Sequence, residues 1–415
     1  MVKKINVNFL VLFLLLLIVA CSTEDNSTTE ENDESNGQAE EQSEGGEEGE
    51  EDTVEPKMLF TYDLFEDSRF EFRSINSSSD GKTVTFSTLE EGGEKKENER
   101  FVIYGDKEAV NLKDISTGDP DDLVDRMCTR MHLSPNGKFV TFSCALDEKW
   151  FVVYDLEEEK IVHHAEELED PRIDIIGITD NMEALVANTD GNFFGIYNLE
   201  TGQRKEFDLF DFPNLEDEPY LSFSWIAPAD NGNKFFMHNS FRLYVLDTQT
   251  EEIQKIADVT PYEERFKDET EGIILSNMKV SPNGNYVFYR LDDETSKEEI
   301  YQSHNFVKLE GGEKNSYHFP NHVALGTIDN NGNMVLAEEK EIYAYQFDQD
   351  KFFHIHHSET SVYLDELTLS ADGSHLFYTD RIDLSEEQEA YSLFQLPLSD
   401  LGGYEEVEFN GTKEE

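Results

Sequence analysis

The stretch Leu133-Ser134-Pro135-Asn136-Gly137-Lys138-Phe139-Val140-Thr141-Phe142 decides the fold. An apolar residue enters a small polar turn, Gly137 supplies a positive φ, and an alternating strand leaves it. One copy precedes it, Ser79-Asp80-Gly81-Lys82-Thr83-Val84-Thr85-Phe86. Four follow at Asn231-Gly232-Asn233-Lys234-Phe235-Phe236, Val280-Ser281-Pro282-Asn283-Gly284, Ile328-Asp329-Asn330-Asn331-Gly332 and Leu369-Ser370-Ala371-Asp372-Gly373. A worn copy, Ile178-Thr179-Asp180-Asn181-Met182, carries Met in the glycine position. Successive copies lie 56, 45, 50, 52, 48 and 41 residues apart. A period near that size, with several short strands per unit, is the signature of propeller blades. The expectation is an all-β, seven-bladed β-propeller of four-stranded antiparallel blades over residues 57–415.

Working outward from the turn gives one blade. Arg130–Leu133 is its inner strand, Lys138–Ser143 the second, Trp150–Leu156 the third and Lys160–His164 the fourth. Third strands recur at Phe193–Leu199, Arg242–Asp247, Ile342–Gln346 and Tyr391–Leu396. Apolar residues occupy both faces, as blades sandwiched between neighbours require. Met58-Leu59-Phe60-Thr61-Tyr62 precedes the first repeat, where it can pair with the last blade and close the ring, removing a sheet edge. Fifty-residue units could scarcely bury cores alone, which argues against a string of separate domains.

The Ser-Pro-Asn-Gly and Ser-Ala-Asp-Gly turns, each followed by a strand ending in Phe or Tyr, look like TolB-type and WD40-like propeller repeats. The resemblance covers residues 57–415 as a pattern. It departs in lacking the Trp-Asp ending of WD40 blades and in the lost glycine of the third copy. It implies a fold and leaves activity open.

The N-terminus carries an address. Lys3 and Lys4 precede an apolar run, Phe9 to Val19, that closes on Ile18-Val19-Ala20-Cys21. This is a secretory signal, and with Cys at the cut it resembles the lipobox of bacterial lipoproteins. The resemblance implies that residues 1–20 are removed as a lipoprotein signal peptide and that Cys21 is lipidated. The protein would then sit on the cell membrane at its extracytoplasmic face. An uncleaved membrane helix is the alternative, but the run is shorter than the ~20 residues a span needs. Residues 21–56 hold the lipidated Cys and an acidic linker. From Ser22 to Pro56 there are fifteen Asp and Glu and no Lys or Arg, a composition expected to stay disordered.

Net charge narrows the partners. The chain carries −58; setting aside +2 for Lys3 and Lys4 and −15 for the linker leaves −45 on residues 57–415. That field opposes binding to nucleic acid. Cys128 and Cys144 flank the second repeat. A type I turn with a Gly bulge would set Ser134 opposite Lys138, and the ladder run outward sets Cys128 opposite Cys144. In an exported protein that pair is a candidate disulfide, with two buried free thiols as the alternative.

Catalytic and cofactor signatures are missing. The sequence has no Gly-x-Ser-x-Gly elbow, no phosphate loop, no Gly-x-Gly-x-x-Gly and no His-Glu-x-x-His. No cofactor or metal is expected. His163-His164 and His354-Ile355-His356-His357 could offer metal ligands, His354 and His356 sharing a strand face, but they fall on outer strands. The carboxylate runs Asp119 to Asp125 and Asp292-Asp293-Glu294 lack the spacing of a calcium loop.

The inner strands, which line a propeller's channel, hold the best candidates. One phase is apolar: Met131 and Leu133, Ile176 and Ile178, Met278 and Val280, Leu367 and Leu369. The other is mixed: Ser74 and Asn76, Arg130 and His132, Phe223 and Trp225, Asn277 and Lys279, Glu366 and Thr368. Arg130, His132, Trp225, Lys279 and Glu366 form a candidate channel ligand site, with a water-filled polar pore as the plain alternative. The expected function is a membrane-anchored platform for a protein partner. The alternatives are a channel enzyme or a carbohydrate- or small-ligand-binding protein, and a structural envelope component.

Overall fold

A computed structural model describes residues 55–63, 69–92, 95–112, 115, 127–145, 149–166, 173–215, 223, 225–258, 273–293, 301–319, 323–358, 367–385, 388–398, 400–409 and 411–413. Seven antiparallel sheets follow one another along the chain, each built outward from an inner strand. The inner strands are Arg69–Ser77, Met127–Leu133, Ile173–Ile178, Trp225–Ala229, Ile273–Val280, Val323–Ile328 and Leu367–Leu369, for blades one to seven. The chain is a seven-bladed β-propeller. Among the described residues the only helical turns are 3₁₀ segments, such as Leu209–Asp211 and Leu401–Gly403.

Burial explains the muted alternation along the strands. Seven core clusters form, one at each blade interface. In blade two, Val140, Phe142 and Val152 face blade one, whereas Phe139, Phe151 and Val153 face blade three. Each strand therefore needs apolar side chains on both faces, because each sheet is covered on both.

Both ends of the propeller segment are used to finish edges. Lys57–Asp63 is the outermost strand of blade seven, running antiparallel to Gln388–Pro397 with Met58 opposite Phe394 and Thr61 opposite Ser392. The expected ring closure is therefore present. A feature the sequence did not suggest lies at the other end. Glu405–Val407 adds a fifth strand to blade six, and Thr412–Lys413 adds one to blade five. Phe409, between them, stacks on Phe352 at 4.9 Å and meets Phe319 and Tyr343 edge-on.

Candidate functional site: the central channel

Each inner strand ends in its polar turn, so all seven turns gather at one end of the channel. Within the turn, the first residue is a buried capping group. Ser134 Oγ accepts the Phe139 N–H at 2.9 Å and donates to Asn136 Oδ1 at 2.8 Å. Ser78, Ser281 and Ser370 repeat this arrangement. Gly137 takes φ +74°, and a Cβ there would overlap Ser78 and Thr83 of blade one, so conformation and close approach both demand glycine. Met182 holds the same left-handed conformation at φ 56° and packs its side chain against the blade two–blade three core.

A closed collar of hydrogen bonds joins the turns, one at each interface and all in the same sense. Ser79 N–H donates to Pro135 O, Asn136 N–H to Asp180 Oδ1, and Asp180 N–H to Asn231 Oδ1, at 2.7, 2.8 and 2.9 Å. Asp230 N–H then donates to Pro282 O, Asn283 N–H to Asn330 Oδ1, and Asn330 N–H to Ala371 O, at 2.6, 2.8 and 2.7 Å. Asp372 N–H completes the circuit to Ser79 O at 2.9 Å. In blades two and five the second turn position is Pro135 or Pro282, which has no N–H; the donor moves on to the following Asn. The collar satisfies backbone groups of every turn by pairing them across the blade interfaces.

Above the collar, five inner strands are bulged. The register shifts between Arg73 and Asn76, Thr129 and Met131, Ile175 and Gly177, Ser276 and Lys279, and Leu325 and Ile328. Ser74 and Asn277 sit in these bulges at φ 54° and 51°. A bulge re-aims the side chains that follow it. As a result the channel draws on both phases of the strand pattern. Its cavity, of about 650 Å³, is lined by Ser74, Asn76, His132 and Lys279 from the mixed phase and by Met131, Leu133, Ile176, Ile178, Val280 and Leu367 from the apolar one.

Of the candidate residues, His132 and Lys279 share this cavity. His132 is held in place by a 3.1 Å contact between Nε2 and Ile175 O of blade three. Trp225 lies outside the cavity lining. It stacks on His238 at 5.8 Å, and burial holds the His238 imidazole below its usual range. Glu366 and Cys21 fall outside the described residues, as does the side chain of Arg130. A residue the sequence reading passed over is Arg100. It lies on the third strand of blade one opposite Ser87, and both residues reach the cavity.

The other constellations resolve differently. His354 and His357 meet the two oxygens of Glu341 at 2.7 and 2.6 Å, while His356 turns away to Tyr378 at 2.8 Å. A bulge at Ile355 separates the expected His354–His356 pair onto different neighbours. Burial alone would raise the Glu341 carboxyl, but its hydrogen bonds with the two histidines outweigh this and hold it low. No group of three His, Cys, Asp or Glu side chains among the described residues is arranged to hold a metal. Asp292 is paired with Arg290 at 2.9 Å, and the 119–125 run lies outside the described residues. Cys128 faces Cys144 in the blade two ladder.

No protein-family model and no curated protein sequence matches the chain. Solved structures resemble it at low sequence identity. A chain in the crystal structure of a mitotic checkpoint complex is 10% identical with a TM-score of 0.47, covering 91% of this chain and 100% of that one. The structure of U3-55K gives 8% and 0.48, covering 83% and 98%. The Myceliophteria thermophila Cps50 (Swd1) β-propeller domain gives 12% and 0.41, covering 82% and 99%. Likeness at this level carries neither partner nor activity across.

Proposed function

We propose that the chain is a membrane-tethered binding platform, anchored through lipid on Cys21 at the extracytoplasmic face and spaced from the membrane by its acidic linker. The propeller would be a rigid scaffold that engages a protein partner on the end opposite the collar. With the inner strands running toward the collar, the outer strand of each blade runs toward that opposite end. The described part of that surface is the turn Leu209–Leu215, which follows the outer strand of blade three.

One observation carries this reading. Phe210 is 67% exposed, yet its turn is firmly anchored. Leu209 and Leu215 on either side are buried in the blade three–blade four core. Asp208 Oδ1 accepts the Phe210 N–H at 3.0 Å and caps the turn. An aromatic ring held out to solvent by a fixed backbone costs little ordering entropy on binding, which is the property of an interface anchor.

The test uses a photoreactive residue at position 210 and, as a control, at exposed Glu200 in the collar-end hairpin of the same blade. In intact membranes, position 210 should give a discrete protein adduct and position 200 none. Equal adducts at both, or none at either, would remove the platform reading.

A further inference from the structure

Asp and Glu make up 91 of the 415 residues, yet no acidic residue is among those described as lining the central cavity. Among the described residues, its charged and ionisable lining groups are Arg100, Lys279 and His132. Against a charge of −45 on residues 57–415, the described lining residues are of opposite sign.

Arg100 is the decisive member. Among the described residues its guanidinium has neither an ion-pair nor a hydrogen-bond partner, and it is partly withdrawn from solvent. Burial pulls it below the usual arginine range, with no acid among the described residues offsetting this. A guanidinium left in that condition costs stability unless something completes it. Its planar fork matches a carboxylate bidentately. Ser87 is directly opposite on the neighbouring strand, and Ser74 and Asn76 come from the bulged inner strand of the same blade. Met131, Ile176 and Val280, from blades two, three and five, give the same cavity its apolar lining.

We propose that the channel is a binding site for a small organic carboxylate, its charged head on Arg100 and its apolar body against Met131, Ile176 and Val280. The volume of about 650 Å³ suits a small molecule and lies in the range of ordinary ligand pockets. An inorganic anion would leave the apolar lining unused. The site is separate from the Phe210 surface and stands or falls without it.

The probe is hexanoate, with hexanamide as its uncharged counterpart, titrated onto the full-length protein by ligand-observed NMR. Hexanoate should bind at one site, and hexanamide about tenfold or more weakly. Arg100→Gln should weaken hexanoate to the level of hexanamide, and Arg100→Lys should keep part of the preference. A second measurement stands without a variant. Phenylglyoxal modification of Arg100, followed by mass spectrometry, should slow when hexanoate is present, while modification of the exposed Arg204 should not change. The proposal is overturned if hexanoate fails to bind, if both probes bind equally, if Arg100→Gln binds as wild type does, or if Arg100 is not protected.

Discussion

Asp329 fills the turn position that Ser occupies in blades one, two, five and seven, and it does the same work with a carboxylate. Its Oδ1 accepts the N–H groups of Asn331 and Asn333 at 2.8 and 2.7 Å, and Oδ2 accepts Asn333 Nδ2 at 2.7 Å. The residue is fully buried, and Gly373 of blade seven closes directly over Oδ2. Burial raises its carboxyl above the usual range, outweighing hydrogen bonds that pull the other way. A raised value in the folded state means that folding favours the protonated form. The favourable contribution is complete below the unfolded-state value and lost as pH rises through the folded one. At neutral pH the ionised side chain therefore weighs against the fold. Asp329→Asn keeps an acceptor for both backbone N–H groups. Asn333 Oδ1, which has no partner, can swing round to accept from the new amide. The variant should resist urea better than wild type at pH 7, and its advantage should shrink at pH 4. A less stable variant at pH 7 would show that the charge itself is needed.

At the scale of the strand, the turn and the bulge show what sequence could and could not disclose. Ser134 was expected to face Lys138. It faces Phe139 instead, whose carbonyl accepts the Ser134 N–H at 2.8 Å, so the loop is one residue longer. The bulge at Arg130 then takes up one residue on the other strand. The two offsets cancel, and Cys128 meets Cys144 as the simpler ladder had it. Periodic apolar residues and turn chemistry are local signals, so blade number, strand positions and ring closure were legible. A bulge leaves no such signal: nothing in Thr129-Arg130-Met131 differs from regular strand. That is why the apolar phase appears in the channel beside the mixed one, and why Arg100, two strands away, went unnoticed. The C-terminal strands were hidden because three-residue and two-residue pairings owe their place to tertiary contacts, with little intrinsic propensity behind them. The Cys register has its own consequence for a protein proposed to be exported: the two thiols should be joined. Thiol titration of the unreduced, denatured chain should find neither of them, and recovery of both would reject the bond.

The propeller is a ring, and a ring is only as cooperative as its last interface. Blade seven takes its outer strand from Lys57–Asp63, so its interface with blade one forms only when the two ends of the propeller meet. Phe60 carries that meeting, its ring 4.8 Å from Phe101 and 5.0 Å from Phe86 of blade one. The C-terminal tail is attached differently. It lies over edges that already exist, held by Lys351–Glu406, by Lys413 on Asp350, and by the packing of Phe409. Removal of each end should therefore fail in a different way. Phe409→Ala removes a partly buried ring and should lower stability by about 2 kcal/mol, leaving one sharp unfolding transition. Deleting residues 57–63 bares the edge of Gln388–Pro397 and opens the ring. The transition should broaden or split, and the protein should associate through the open edge. A synthetic peptide of residues 55–64 should bind the deleted protein and restore the single transition, because its strand partner and the Phe60 pocket remain. If the deletion instead behaves like Phe409→Ala, with one sharp transition at lower denaturant and no response to peptide, the N-terminal strand is a cover like the tail, and the ring is closed by the blade cores and the collar.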